Sequence, residues 1–165
     1  MTVCLVFVIC HKDWTVKDWC KVMWLDETKI NHLGSDGQEW CWKHCGEGLS
    51  DRTCQPTIKH GSRSLMVWGC ITAEGIGYLM RIDRHLNMDL YCQILHDELM
   101  KSLEYHNLDI NEIIFQQDND PKHTSNMAKN CLQELRLKVL QWPAQLPNLN
   151  PIEHLWDHLK HHLSA

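Results

Sequence analysis

Residues 113–125 read IIFQQDNDPKHTS, and here the chain's pattern of strands and helices meets its most distinctive acid. Ile113-Ile114-Phe115 lies in a short apolar run, Glu112 to Gln117, of the kind that fills a buried strand. Asp118 closes that run, and Asp120 before Pro121 resembles the cap and first residue of a helix. Two further acids stand in comparable settings. Asp26 follows the apolar run Val22-Met23-Trp24-Leu25, and Glu153 sits in Asn150-Pro151-Ile152-Glu153 at the start of an apolar-periodic helix. Two carboxylates at strand ends and a third on a helix suit a pair of hard cations working on a phosphodiester. Thirty-four residues separate Asp118 from Glu153.

Working outward, Val22 to Leu25 reads as a short buried strand. Lys29 to Leu33 alternates weakly, and Gly34-Ser35-Asp36-Gly37 then predicts a hairpin turn into Glu39 to Trp42. Residues 43–63 read as a loop. Ser64 to Thr72 is a strong strand, turned by Gly75-Ile76-Gly77 into a second, Tyr78 to Ile82. From Met88 to Leu103 the apolar period becomes helical, with Asn87 as N-cap. Met127 to Leu135 predicts another helix, Leu137 to Gln141 a last strand, and Pro151 to about Leu163 a final helix. A meander of strands followed by alternating elements predicts an α/β fold, a mixed sheet flanked by helices.

The length of 165 residues suits one domain, spanning 1–165. Hydrophobic residues at 44% and charged residues at 22% exclude a disordered chain. Sixteen basic against twenty-one acidic residues give a net charge of −5, which argues against tight DNA binding by the isolated chain. The nine cysteines are scattered, odd in number and without a CxxC pair, which fits free thiols better than a disulfide framework. Cys41, His44, Cys45, Cys54 and His60 match no usual zinc spacing. The apolar run Thr2 to Cys10 is too short to span a bilayer and has no signal-peptide features, so it reads as a buried strand or helix at the domain edge.

Each acid also has an ordinary explanation. Asp26 and Asp118 suit turns. With Asn150 as N-cap and Pro151 as the first helical residue, Glu153 occupies the reciprocal position of a capping box. Leu149, Ile152, Leu155, Trp156, Leu159 and Leu163 form one apolar stripe with Glu153 at its edge. His154, His158 and His161 fall on the opposite, solvated face.

The flanking words go further. Trp24-Leu25-Asp26-Glu27-Thr28-Lys29, Ser64 to Cys70, FQQDNDPKHTS at 115–125, Trp142-Pro143-Ala144-Gln145 and Leu149 to Trp156 resemble the DDE transposases of the Tc/mariner superfamily. The 34-residue interval ending in Glu points to the Tc-like branch. The resemblance implies a ribonuclease-H-like mixed five-stranded sheet flanked by helices, and a metal-dependent enzyme that cleaves DNA and transfers strands. It implies that Asp26, Asp118 and Glu153 hold two divalent cations, Mg²⁺ or Mn²⁺. It makes Asn119, Lys122 and His123 candidates for phosphate contact or for supporting the acids. Double-stranded DNA (transposon ends and target), a homodimer, a nuclear location and no membrane complete the expectation.

The chain departs from the family in places. With family-like sequence beginning almost at residue 11, the N-terminal helix-turn-helix modules of a complete transposase are expected to be absent, Leu146 and Asn148 replace a common Ser and Asp, and His60 to Ser64 replaces a glycine-rich run. A non-catalytic, transposon-derived relic, keeping the fold as a binding or interaction module, is therefore the alternative. A ribonuclease-H-like enzyme acting on RNA hybrids is a third class.

Overall fold

A computed structural model describes residues 3–31, 64–83, 86–143 and 149–164. The predicted hairpin at 34–42, the loop at 43–63, the Cys41–His60 cluster, Leu146 and Asn148 lie outside the described residues. A five-stranded mixed sheet organises the molecule, with strand order β3-β2-β1-β4-β5. The strands are β1 (Val22–Asn31), β2 (Ser64–Thr72), β3 (Gly75–Ile82), β4 (Ile114–Gln116) and β5 (Lys138–Val139). Antiparallel pairing joins β1 to β2 and β2 to β3, and parallel pairing joins β1 to β4 and β4 to β5. The helices are α1 (Val3–His11), α2 (Val16–Trp19), α3 (Met88–Ile94), α4 (Met100–Tyr105), α5 (Pro121–Thr124), α6 (Asn126–Glu134) and α7 (Pro151–Ser164).

β1 is where the sequence reading needs most correction. The expected pieces Val22 to Leu25 and Lys29 to Leu33 are joined in one ten-residue strand, so Asp26 lies inside it and neither ends a strand nor starts a turn. The polar tetrad Asp26-Glu27-Thr28-Lys29 holds β-structure because each residue is paired with β2, from Asp26 opposite Gly69 to Lys29 opposite Met66. Alternation then sends successive side chains to opposite faces. On one face Met23 and Leu25 join Trp68, Cys70, Tyr91, Leu95, Leu99, Phe115 and Leu132 in the larger core. On the other, Val22 and Trp24 join Phe7, Val67, Leu140, Ile152 and Trp156.

The remaining elements follow the expected order with local differences. β2 has the expected limits, and β3 begins at Gly75, whose φ of +138° suits a residue without Cβ. Asn87 caps α3 by accepting the Leu90 N–H at 2.9 Å. The helix runs on through a π-helical stretch, Leu95–Leu99, into α4. β5 is shorter than Leu137 to Gln141 because it is an edge strand pairing only with Ile114 and Phe115. α1 is a helix packed mainly through buried Phe7, while Leu5, Val6, Val8 and Ile9 are exposed, so it is not the buried segment its composition predicts. Phe7 packs edge-on against Trp142, and Trp19 stacks on Trp24, which ties α1 and α2 to the smaller core. Cys4, Cys10, Cys20, Cys70, Cys92 and Cys131 are free thiols, and among the described residues no helix is long and apolar enough to cross a membrane.

Candidate active site

Three elements bring the three acids to one end of the smaller core. β1 and β4 run parallel with Trp24 opposite Gln116. Asp118 follows two residues beyond Gln116, past the end of β4, as Asp26 follows two residues beyond Trp24 within β1. Asp26 is half-buried on the face that α7 covers, and α7 supplies Glu153 from its first turn. α7 is seated by Ile152 and Trp156, both buried, whereas Leu149 and Leu163 at the ends of the predicted stripe are exposed. His154, His158 and His161 are exposed as expected. The capping box is not made: Asn150 is buried, but its Oδ1 has no hydrogen-bond partner, and Glu153 N–H bonds only to the Asn150 backbone carbonyl at 3.2 Å.

The acids feel one another. Burial pushes the Asp26 carboxyl up to about 7, reinforced by the charge of Glu27 and then by those of Glu153 and Asp118, against a lowering bond from the Glu27 backbone. Burial and the charge of Asp157 raise Glu153. Asp118, the most exposed of the three, moves the other way, held low chiefly by its hydrogen bond to His123 and also by the Asp120 N–H. Neighbouring carboxyls driven apart in acidity are a common mark of a working site.

Behind Asp118, on the opposite face of the sheet, lies a second polar group of residues. His123 is buried on α5, with Nδ1 2.5 Å from Asp118 Oδ1 and Nε2 3.4 Å from Glu27 Oε1. The Glu27 contact is an ion pair in distance but lacks hydrogen-bond geometry, since Nε2 has no hydrogen-bond partner, so its attraction is electrostatic. Although burial opposes a charge on the ring, the two carboxylates raise His123 to about 9. Tyr91 packs against the imidazole with ring centroids 4.4 Å apart and donates its hydroxyl hydrogen to Gln117 Oε1. Gln117 Nε2 in turn donates to the His123 carbonyl at 3.2 Å.

The sequence-predicted neighbours thus occupy different places. His123 is enclosed between carboxylates. Asn119 is exposed and donates from Nδ2 to the Trp142 carbonyl at 2.8 Å. Lys122 Nζ lies 3.5 Å from Asp120 Oδ2, and Asp120 caps α5 through the Lys122 N–H as its sequence predicts. Sequence reasoning passed over Glu27, Tyr91 and Gln117. A signal for Glu27 exists: a second acid next to Asp26, inside a strand buried on both faces, needs a partner of its own.

A divalent cation suits this donor set. The three acids offer only oxygen ligands, and the rise of Asp26 reflects first its burial and then the negative charge of Glu27, Glu153 and Asp118 around it. Among the described residues no three His, Cys, Asp or Glu side chains are drawn together at ligating distance.

Strand order and the parallel step from β1 to β4 are those of a ribonuclease-H-like α/β fold. A family model described as DDE superfamily endonuclease matches residues 21–165, and the chain belongs to that family. It is similar to the transposable element Tc1 transposase of Caenorhabditis elegans, 41% identical over 94% of this chain and 56% of the relative. The Tc3 transposase of the same organism is 32% identical over 84% of this chain and 41% of the relative. The chain thus spans about half the length of these relatives. Among solved structures, a Mos1 transposase paired-end complex with left transposon end matches with a TM-score of 0.73 at 20% identity, over 97% of this chain and 46% of that one. The Mos1 mariner catalytic domain matches with a TM-score of 0.66 at 21% identity, over 98% of this chain and 68% of that one. These two support the fold.

Proposed function

We propose that this chain is the catalytic domain of a DNA transposase, which cleaves and rejoins phosphodiesters in double-stranded DNA with Asp26, Asp118 and Glu153 as its divalent-cation ligands. The observation that carries the proposal is that the three carboxyls are electrostatically coupled, Asp26 from within β1, Asp118 from just beyond the end of the adjoining β4 and Glu153 from the first turn of α7. The ions are Mg²⁺ or Mn²⁺, two per site; when bound they supply charge stabilisation to the attacking and departing oxygens. Asp26 contributes a ligand from the rigid centre of the sheet. Asp118 contributes one already ionised, because His123 holds it so. Glu153 contributes one from a helix N-terminus, whose dipole favours the anion. Exposed Asn119 and half-buried Lys122, close in sequence to Asp118, are the candidates for contact with backbone phosphates. Transposon ends and target DNA are the proposed substrates, in a homodimer acting in the nucleus. The relic reading has less support, because the family match runs from residue 21 to 165 and includes all three acids.

The test is nicking of supercoiled plasmid by the folded chain in Mg²⁺ or Mn²⁺. Wild type is expected to nick without sequence preference, and Asp118→Asn or Glu153→Gln to reduce the rate by ~10²-fold or more, the scale on which a lost charge-stabilising group acts. Wild type no faster than Asp118→Asn at any cation concentration would remove the catalytic claim. An RNA–DNA hybrid cut in preference to duplex DNA would move the enzyme to the third class.

A further inference from the structure

The proposed ligand sphere accounts for Asp26, Asp118 and Glu153, but it leaves unexplained a buried acid on the wrong side of the sheet. Glu27 points away from Asp26 by strand alternation, and only 12% of its side chain is exposed. A buried carboxylate is costly unless paired. Among the described residues its ion-pair partner is His123, whose other ring nitrogen bonds Asp118 at 2.5 Å. The imidazole thus bridges two carboxylates, one on the ligand side and one behind the sheet. Its orientation is fixed from two further directions. The Tyr91 ring packs against it, and Tyr91 and Gln117 reach the His123 carbonyl through consecutive hydrogen bonds.

Such a bridge acts on Asp118 by geometry. Asp118 lies beyond the end of β4, past the last residue held by the ladder, and its side chain is 53% exposed. Without a tether, its carboxylate would sample many rotamers. We infer that Glu27 and Tyr91 are positioning residues, which set the orientation of His123 from behind the sheet and through it aim the Asp118 carboxylate at the divalent-cation site. The inference rests on the proposed ligand role of Asp118. Groups behind a ligand of this kind typically change metal affinity by about 10–100-fold when removed.

The experiment is direct Mn²⁺ binding to the folded chain, by calorimetry or by loss of the free-Mn²⁺ paramagnetic resonance signal, without any turnover. Glu27→Ala is expected to weaken binding by about tenfold or more, and Glu27→Gln, which keeps the shape but loses the charge on which the contact rests, to weaken it to a similar extent. Tyr91→Phe keeps the ring on His123 but removes the hydroxyl, and is expected to weaken binding several-fold. It carries the test if Glu27→Ala does not fold. Asp118→Asn separates the two claims. If it leaves Mn²⁺ affinity unchanged, the ligand assignment fails, and the positioning role with it. If it weakens binding while folded Glu27→Ala and Tyr91→Phe bind as wild type does, the ligand assignment stands and the positioning role is overturned. A lowered melting temperature with unchanged affinity marks a merely structural role and likewise overturns the inference.

Discussion

Gly69 stands opposite Asp26 on β2, and its missing side chain is what lets α7 lie close to the sheet. A Cβ built there meets Trp156 Cη2 at 2.8 Å and Leu79 Cδ2 at 2.6 Å. Trp156 is buried and sits one helical turn beyond Glu153, so displacing its indole displaces the third acid. Gly69→Ala is expected to destabilise the fold by about 1–3 kcal/mol, as overpacking does. It is also expected to slow plasmid nicking by up to ~10²-fold, because small misplacements of reacting groups cost that much. Thermal unfolding and nicking rates measured together check this. Wild-type values for both would show that α7 does not depend on the bare backbone at 69. The sequence carried Gly69 only inside a strand motif; nothing in its spacing could reveal that Trp156 lies above it.

At the scale of elements, β4 shows how a strand serves a site at the expense of its own stability. Gln116, its last residue, is completely buried, yet neither amide atom has a hydrogen-bond partner. An unsatisfied buried amide costs about 1–3 kcal/mol. Gln116→Met, similar in shape and without polar hydrogens, is therefore expected to raise unfolding free energy by about that amount in urea titrations. A loss of stability would mean that the amide has a partner in solution. Element types were largely legible because Ser64–Thr72, Met88 onward and Pro151 onward carry strong periodicity and recognisable caps. β1 was less so. Asp26-Glu27-Thr28-Lys29 looks like a break in sequence, and only pairing with a strand some forty residues away makes it continuous. The π-helical stretch had no sequence signal that periodicity could register.

For the whole molecule, the charges make a prediction about pH. Asp26, raised in the fold to about 7, favours its neutral form there, so its ionisation opposes folding. Stability of the cation-free chain is expected to fall as pH climbs from about 4 to about 7. His123 is also raised, to about 9; its contribution is complete below about 6.5 and is lost as pH rises through 9. Added Mg²⁺, which favours ionised Asp26, is expected to abolish the first decline and leave the second. Melting curves with chelator and with Mg²⁺ across this range are the measurement, and stability that rises between pH 4 and 7 in chelator would contradict it. The acids themselves were legible from their flanking words. The brace behind them was not, because Glu27, Tyr91 and His123 are brought together by packing between sheet and helices. If the three acids are the cation ligands proposed above, their dispersal along the chain also governs when cutting can begin. Asp26 is on the first strand and Glu153 on the seventh helix, so a polypeptide still emerging from the ribosome carries at most two of the three until α7 has been made and has docked. On the proposed assignment of these acids as cation ligands, the domain is therefore inert during its own synthesis, and completion of the fold is the event that arms it.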